Sequence, residues 1–297
     1  MPGVFSRIKP QDLQRFRKFE LLARQVVEGL VTGLHKSPYK GFAIEFAEHR
    51  QYVPGDDVKR LDWKLFGRFS RYFIREYEED TSLKAFFVLD TSGSMSYTSH
   101  GMSKLEFGQM LCMTLSYLLL RQNDAVGCIT CDSKINRYLP AYSTINQLQR
   151  IGHLLEHITP ENDTALANVL HSLANMIKRR SLIFIISDFF DNLTEIMRAF
   201  NHFARRHHEL VLLQVIDPAE RDFPFWNITR FESMEHPSER YLIDPVRIRN
   251  DYLKHFADHQ QQLKRLAHEL HYDFQTFTTE RDAAEQLVPY LIRRMRR

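Results

Sequence analysis

The run Lys84-Ala85-Phe86-Phe87-Val88-Leu89-Asp90-Thr91-Ser92-Gly93-Ser94 constrains this chain more than any other. Apolar residues lead without alternation into an acidic one, then into small hydroxyl residues and a glycine. A short continuous apolar run suits a central strand with both faces covered. Its carboxyl end opens into a loop, Asp90 to Ser94, ahead of a helical pattern that begins near Lys104. In open α/β sheets, ligands sit in the crevice outside the carboxyl ends of the strands. Asp90, Ser92 and Ser94 are therefore three oxygen-bearing side chains at the place where such a sheet binds things. Carboxylate and hydroxyl are hard donors, suited to Mg²⁺ or Mn²⁺ rather than zinc. Gly93 is expected to let the chain turn tightly enough for alternate side chains to face one ion. The same five residues also read as an ordinary turn and helix start, since Asp, Ser and Gly dominate turns.

Two later segments favour the ion. Leu182-Ile183-Phe184-Ile185-Ile186-Ser187-Asp188 is a second apolar strand ending in Ser-Asp, and Glu161-Asn162-Asp163-Thr164 sets Thr164 at a helix entrance. Taken singly, Thr164 is a helix cap and Asp188 a strand-end turn residue. In order, a strand with D-x-S-x-S, a loop Thr and a strand with Asp resemble the metal-ion-dependent adhesion site of von Willebrand factor type A domains. The resemblance implies that Asp90, Ser92, Ser94, Thr164 and Asp188 hold Mg²⁺, directly or through water. It also implies that a sixth position takes a partner's acidic residue.

From Lys84 onward, strands alternate with helical runs. The patterns predict strands at 84–90, 124–131, 134–139, 181–187, 209–216 and 272–277. Helices are predicted at 103–121, 144–157, 165–178, 192–206, 246–270 and 280–295. This alternation means an α/β fold, a doubly wound, mostly parallel sheet with helices on both faces, Rossmann-like in architecture. Asp132-Ser133 predicts a hairpin and thus one antiparallel strand. The proline-rich stretch 217–245 reads as an irregular excursion with a hairpin near 231–243.

The first 80 residues read as an extension to this domain of residues 81–297. Leu13, Phe16, Phe19, Leu22, Val26 and Leu30 mark an amphipathic helix over 10–36. Strand patterns follow around Phe42–Phe46 and Tyr72–Tyr77, on either side of a Pro54-Gly55-Asp56-Asp57 turn. Arg50-Gln51-Tyr52-Val53-Pro54-Gly55-Asp56-Asp57, with Asp62-Trp63 and Arg75-Glu76, is similar to the signature of a bacterial family. It is number fifty-eight in the domain-of-unknown-function series, whose members carry a type A domain. The resemblance implies a link to MoxR-type AAA+ ATPases, as adaptors or co-chaperones in the maturation of proteins and complexes.

Composition narrows the remaining classes. The 297 residues are 43% hydrophobic and 26% charged, enough to bury a core. A formal charge of +3 is too small and dispersed to argue for nucleic acid. The start lacks the apolar core of a secretory signal, and the greasiest stretch, 111–120, is far short of a membrane span. These features predict a cytoplasmic protein. Cys128-Ile-Thr-Cys131 spells C-x-x-C, but residues three apart on a strand point to opposite faces, whereas a redox or zinc pair needs converging sulfurs. His153-Leu154-Leu155-Glu156-His157 spells the inverted zincin order, yet Thr159-Pro160 ends its helix and no third ligand stands out. No catalytic residue is assigned. The expected function is non-enzymatic, Mg²⁺-dependent capture of an acidic partner residue; the alternative is a metal-dependent phosphoesterase using the same crevice.

Overall fold

The structure is a computed structural model that describes residues 43–51, 72–80, 83–158, 160, 165–234 and 238–295. The helix expected at 10–36, the Pro54–Asp57 turn and Thr164 lie outside the described residues. Two compact units emerge, one within residues 36–83 and one running from Lys84. In the first, β1 (Ala43–Gln51) pairs antiparallel with β2 (Phe73–Asp80), with a shift in register between Phe46 and Glu48.

In the second unit, β3 (Lys84–Asp90) leads to α1 (Lys104–Arg121), β4 (Ala125–Cys131), β5 (Ile135–Tyr142), α2 (Asn146–Glu156), α3 (Leu166–Met176) and β6 (Leu182–Ser187). Next come α4 (Leu193–Arg205), β7 (Glu209–Ile216), α5 (Pro218–Asp222) and the hairpin β8 (Thr229–Glu232) and β9 (Arg240–Ile243). The unit closes with α6 (Pro245–Glu269), β10 (Asp273–Thr278) and α7 (Ala283–Met295). Six strands form one sheet in the order β10-β7-β6-β3-β4-β5. Every pairing is parallel except β4 with β5. The doubly wound α/β sheet and its single antiparallel member are therefore present as the pattern predicts.

The central strands are apolar throughout because both faces are covered. Phe86 and Val88 of β3 join Leu170 and Leu173 of α3 and Phe200 and Phe203 of α4 in one core cluster. On the other face, Leu89 and Ile186 approach Gly108 of α1 closely. Phe87 and Phe184 stack across neighbouring strands, centroids 4.7 Å apart. The C-x-x-C sulfurs diverge: Cys128 Sγ lies 3.9 Å from Cys112 Sγ of α1, while the Cys131 thiol points to the Leu89 carbonyl. No helix among the described residues is long and apolar enough to cross a membrane.

The excursion holds more order than its prolines predict. Asp217 caps α5, accepting from Ala219 N, while Glu220 reaches back to the Asp217 N–H, and Pro218 takes the first helical position.

Strand order places the site. From β3 the chain winds outward through β4 and β5, then returns to lay β6 on the other side of β3. The winding reverses between β3 and β6, and a crevice opens beyond their carboxyl ends.

Candidate metal centre

Asp90 and Asp188 reach that crevice from the two strands that flank the reversal. Leu89 pairs with Ile186, so Asp90 arrives level with Ser187. The Ser187 hydroxyl donates to Asp90 Oδ2 at 2.6 Å and accepts from Phe189 N at 2.9 Å. Asp90 Oδ1 accepts from Ser92 N at 2.9 Å, which folds the chain back over the strand end. A single 3-10 turn, Gly93–Ser96, then brings Ser94 beside Ser92, their hydroxyl oxygens 3.2 Å apart. Met95 anchors this turn, wholly buried. Thr91 alternates away and donates to the Cys131 carbonyl at 3.0 Å. The chain turns tightly at Gly93, and it does so without a left-handed residue. The one glycine with positive φ among the described residues is Gly101, so Gly93 contributes no left-handed conformation.

The backbone after Asp188 is unusual. Phe189 adopts φ 59 while wholly buried, a conformation that is an outlier for a bulky residue. Such outliers persist where surrounding contacts over-determine them, and they cluster at functional sites. Here the His259 ring meets the Phe189 carbonyl at 2.9 Å, and Gln214 Nε2 donates to the Asp188 carbonyl at 3.1 Å.

Pattern reasoning missed Lys104, although one signal was present. A lysine in the first turn of a helix faces the positive end of the macrodipole. Ser103 and Glu106 form the capping box that starts α1, so Lys104 is the first helical residue. Its ammonium is wholly buried, donates to Asp188 Oδ2 at 2.7 Å and also pairs with Glu220. Burial alone would lower the Lys104 pKa, but the charges of Asp188 and Glu220 outweigh it and hold the pKa above the usual value. At Glu220 burial wins over the lysine, and the carboxyl is pushed up. Asp90 is raised to about 6, first by burial and then by the charge of Asp188, against the hydrogen bonds of Ser187 and Ser92.

Asp90, Ser92, Ser94 and Asp188 are thus brought together with Ser187, Lys104 and Glu220. Asp188 and Glu220 share one ammonium, and Asp90, bonded to Ser187 and Ser92, adds a third carboxylate, a surplus of negative charge in a buried setting. Buried charge of this kind is costly unless neutralised. Carboxylates and paired hydroxyls with such a surplus fit a hard divalent ion.

Ser94 and Glu220 also line a groove of about 360 Å³, whose other walls include Phe223, Phe225, Phe231 and Tyr252. Glu220 thereby belongs to both features. The Ser99 N–H donates to Asp217 at 2.8 Å, tying the serine loop to the start of α5.

Comparison with known proteins yields one family and several relatives. The family described as "Protein of unknown function DUF58" matches residues 48–262. The uncharacterized protein Rv1480 of Mycobacterium tuberculosis is 26% identical over 97% of this chain and 91% of its own length. Among solved structures, the conserved hypothetical protein BatB from Bacteroides thetaiotaomicron is similar with a TM-score of 0.49 at 16% identity. That match covers 73% of this chain and all (100%) of BatB. An aerotolerance-related membrane protein from Bacteroides fragilis also has a TM-score of 0.49, at 18% identity over 71% of this chain and 98% of that one.

Proposed function

The chain belongs to the DUF58 family, and we propose that it is a non-enzymatic interaction module whose crevice captures an acidic residue of a partner protein through Mg²⁺. Asp90, Ser92, Ser94, Thr164 and Asp188 are the residues that would hold the ion, with Mn²⁺ able to replace it. Bound there, the ion supplies a Lewis-acidic position for a carboxylate. The observation that carries this reading is the meeting of two buried carboxylates, from β3 and β6, beside a pair of hydroxyls at the winding reversal.

The chain's own groups support binding rather than turnover. The Ser187 hydroxyl is held between the Asp90 carboxylate and the Phe189 N–H, and those of Ser92 and Ser94 face each other, so all three are engaged in shaping the crevice. Lys104 pairs with Asp188 and Glu220, which ties the crevice together and leaves Asp90 as the carboxylate without an ammonium partner. The apolar groove beside Ser94 suits a partner segment that carries large apolar side chains next to its acidic residue. By resemblance, that partner is a MoxR-type AAA+ ATPase in the cytoplasm, for which the chain acts as adaptor or co-chaperone.

The test is calorimetry with Mg²⁺ on wild type and Asp90→Ala, paired with a pull-down of the MoxR-type ATPase with and without chelator. Expected are Mg²⁺ binding and capture, both lost in the variant and capture lost on chelation. Turnover in a phosphoesterase screen that disappears in Asp90→Ala overturns the reading in favour of a hydrolase.

A further inference from the structure

We propose that His153, Glu156 and His157 form a second metal site, for a borderline divalent ion of the zinc class, apart from the carboxylate crevice. Histidines four apart lie on one face of a helix, and here the two rings stand 4.6 Å apart between centroids in an edge-on arrangement. The sequence pattern offers Glu156 as a base and no third ligand. The fold makes Glu156 itself the third: one ligand atom from each of the three residues lies within 4.8 Å of the others. Both histidines are exposed and Glu156 is half-buried. A bound zinc ion would draw these atoms in to roughly 2.0–2.2 Å from itself.

Two features of the surroundings favour a cation. α2 ends at Glu156 with His157 as its cap, so all three ligands sit at the negative end of the helix dipole. Of the basic residues that line the same cavity, Lys134, Arg137 and Arg150, the last is drawn off to Gln147 Oε1 at 3.2 Å and lies over the Tyr142 ring. Two imidazoles and a carboxylate select zinc, copper or nickel over magnesium, which sets this site apart chemically from the oxygen donors around Asp90. Three protein ligands leave a tetrahedral ion one open position. Both histidines line a cavity of about 670 Å³, whose walls include Thr91, Asp132 and Asn136. That cavity gives a water or a small anion access to the open position.

The test is Zn²⁺ calorimetry on the full chain, with Co²⁺ visible absorption as a second probe of coordination. Variants are His153→Ala, His157→Ala, Asp90→Ala and His171→Ala, the last because His171 lies 5.9 Å from His202. Expected is one equivalent of Zn²⁺, weakened at least tenfold (about 1.4 kcal/mol) in either His153→Ala or His157→Ala and unchanged in the other two. Four results overturn the proposal: no Zn²⁺ binding by wild type, a first equivalent indifferent to both α2 histidines, its loss in Asp90→Ala, or its loss in His171→Ala. Because the α2 histidines are exposed and Asp90 is not needed here, this result stands or falls independently of Mg²⁺ binding in the crevice.

Discussion

The Lys104 ammonium lies 2.7 Å from the Asp188 carboxylate, and neither side chain is reached by solvent. The pair joins the start of α1 to the end of β6, and through Glu220 it extends to the excursion after β7. It also puts a resident cation next to the place where a divalent one is proposed.

Lys104→Met keeps the buried stem and removes the charge. Breaking a buried pair strands the partner carboxylates and costs about 3–5 kcal/mol. The metal-free variant is expected to melt well below wild type. Millimolar Mg²⁺ is expected to raise its Tm more than that of wild type, since the ion no longer competes with an ammonium for Asp188. Thermal unfolding with Mg²⁺ or with chelator measures both effects, and equal Mg²⁺ increments would contradict the competition.

Asp90→Asn keeps the shape and one of the two acceptor oxygens, the one that takes the Ser92 N–H, while relieving repulsion from Asp188 and obliging the Ser187 hydroxyl to turn from donor to acceptor. Without metal above neutral pH, the variant is expected to be more stable than wild type by on the order of 1–2 kcal/mol. In Mg²⁺ the order is expected to reverse, because a carboxylate would hold the proposed ion more tightly than an amide carbonyl. Urea denaturation in the two buffers checks the crossing.

Protonation of Asp90 gives a related dependence. Its folded pKa, about 6, lies above the 3.8 of an ordinary aspartate, so between those values the native state holds a proton that the unfolded chain has released. The stabilisation is full below the lower value and is lost as pH rises through the upper one. The Tm of metal-free wild type, relative to Asp90→Asn, is expected to fall between about pH 4 and pH 7. Added Mg²⁺ is expected to recover the difference at the upper end only. A flat difference across that window would remove the shift.

Gly127→Ala tests the core from the other side of β3. A Cβ there would come within 2.7 Å of the Phe86 ring and 2.8 Å of the Leu139 carbonyl. That carbonyl belongs to the β5 strand paired with β4, so relief disturbs the edge of the sheet. A loss of about 1–3 kcal/mol is expected, read as a lower urea midpoint with Mg²⁺ affinity retained.

Much of the fold is legible in the chain itself, and the departures have identifiable causes. Strands β3, β4 and β7 fall where continuous apolar runs predict them, because such runs are satisfied only between two helical layers. β5 runs on through Pro140, beyond the predicted 134–139, since an edge strand tolerates a residue without an N–H. α5 escaped notice because its five residues are too few for a period; its start signal, Asp217-Pro218 with Glu220, was there to be read.

The amino-acid order by itself determined the α/β layering and delivered Asp90, Ser92, Ser94 and Asp188 to loops at strand ends, because burial pattern and turn chemistry are local. Tertiary structure alone decided which charges meet. Lys104 finds Asp188 and Glu220 across 84 and 116 residues. Those partnerships follow from β6 returning to the far side of β3, and strand order is a property of the whole packed sheet that no local pattern carries.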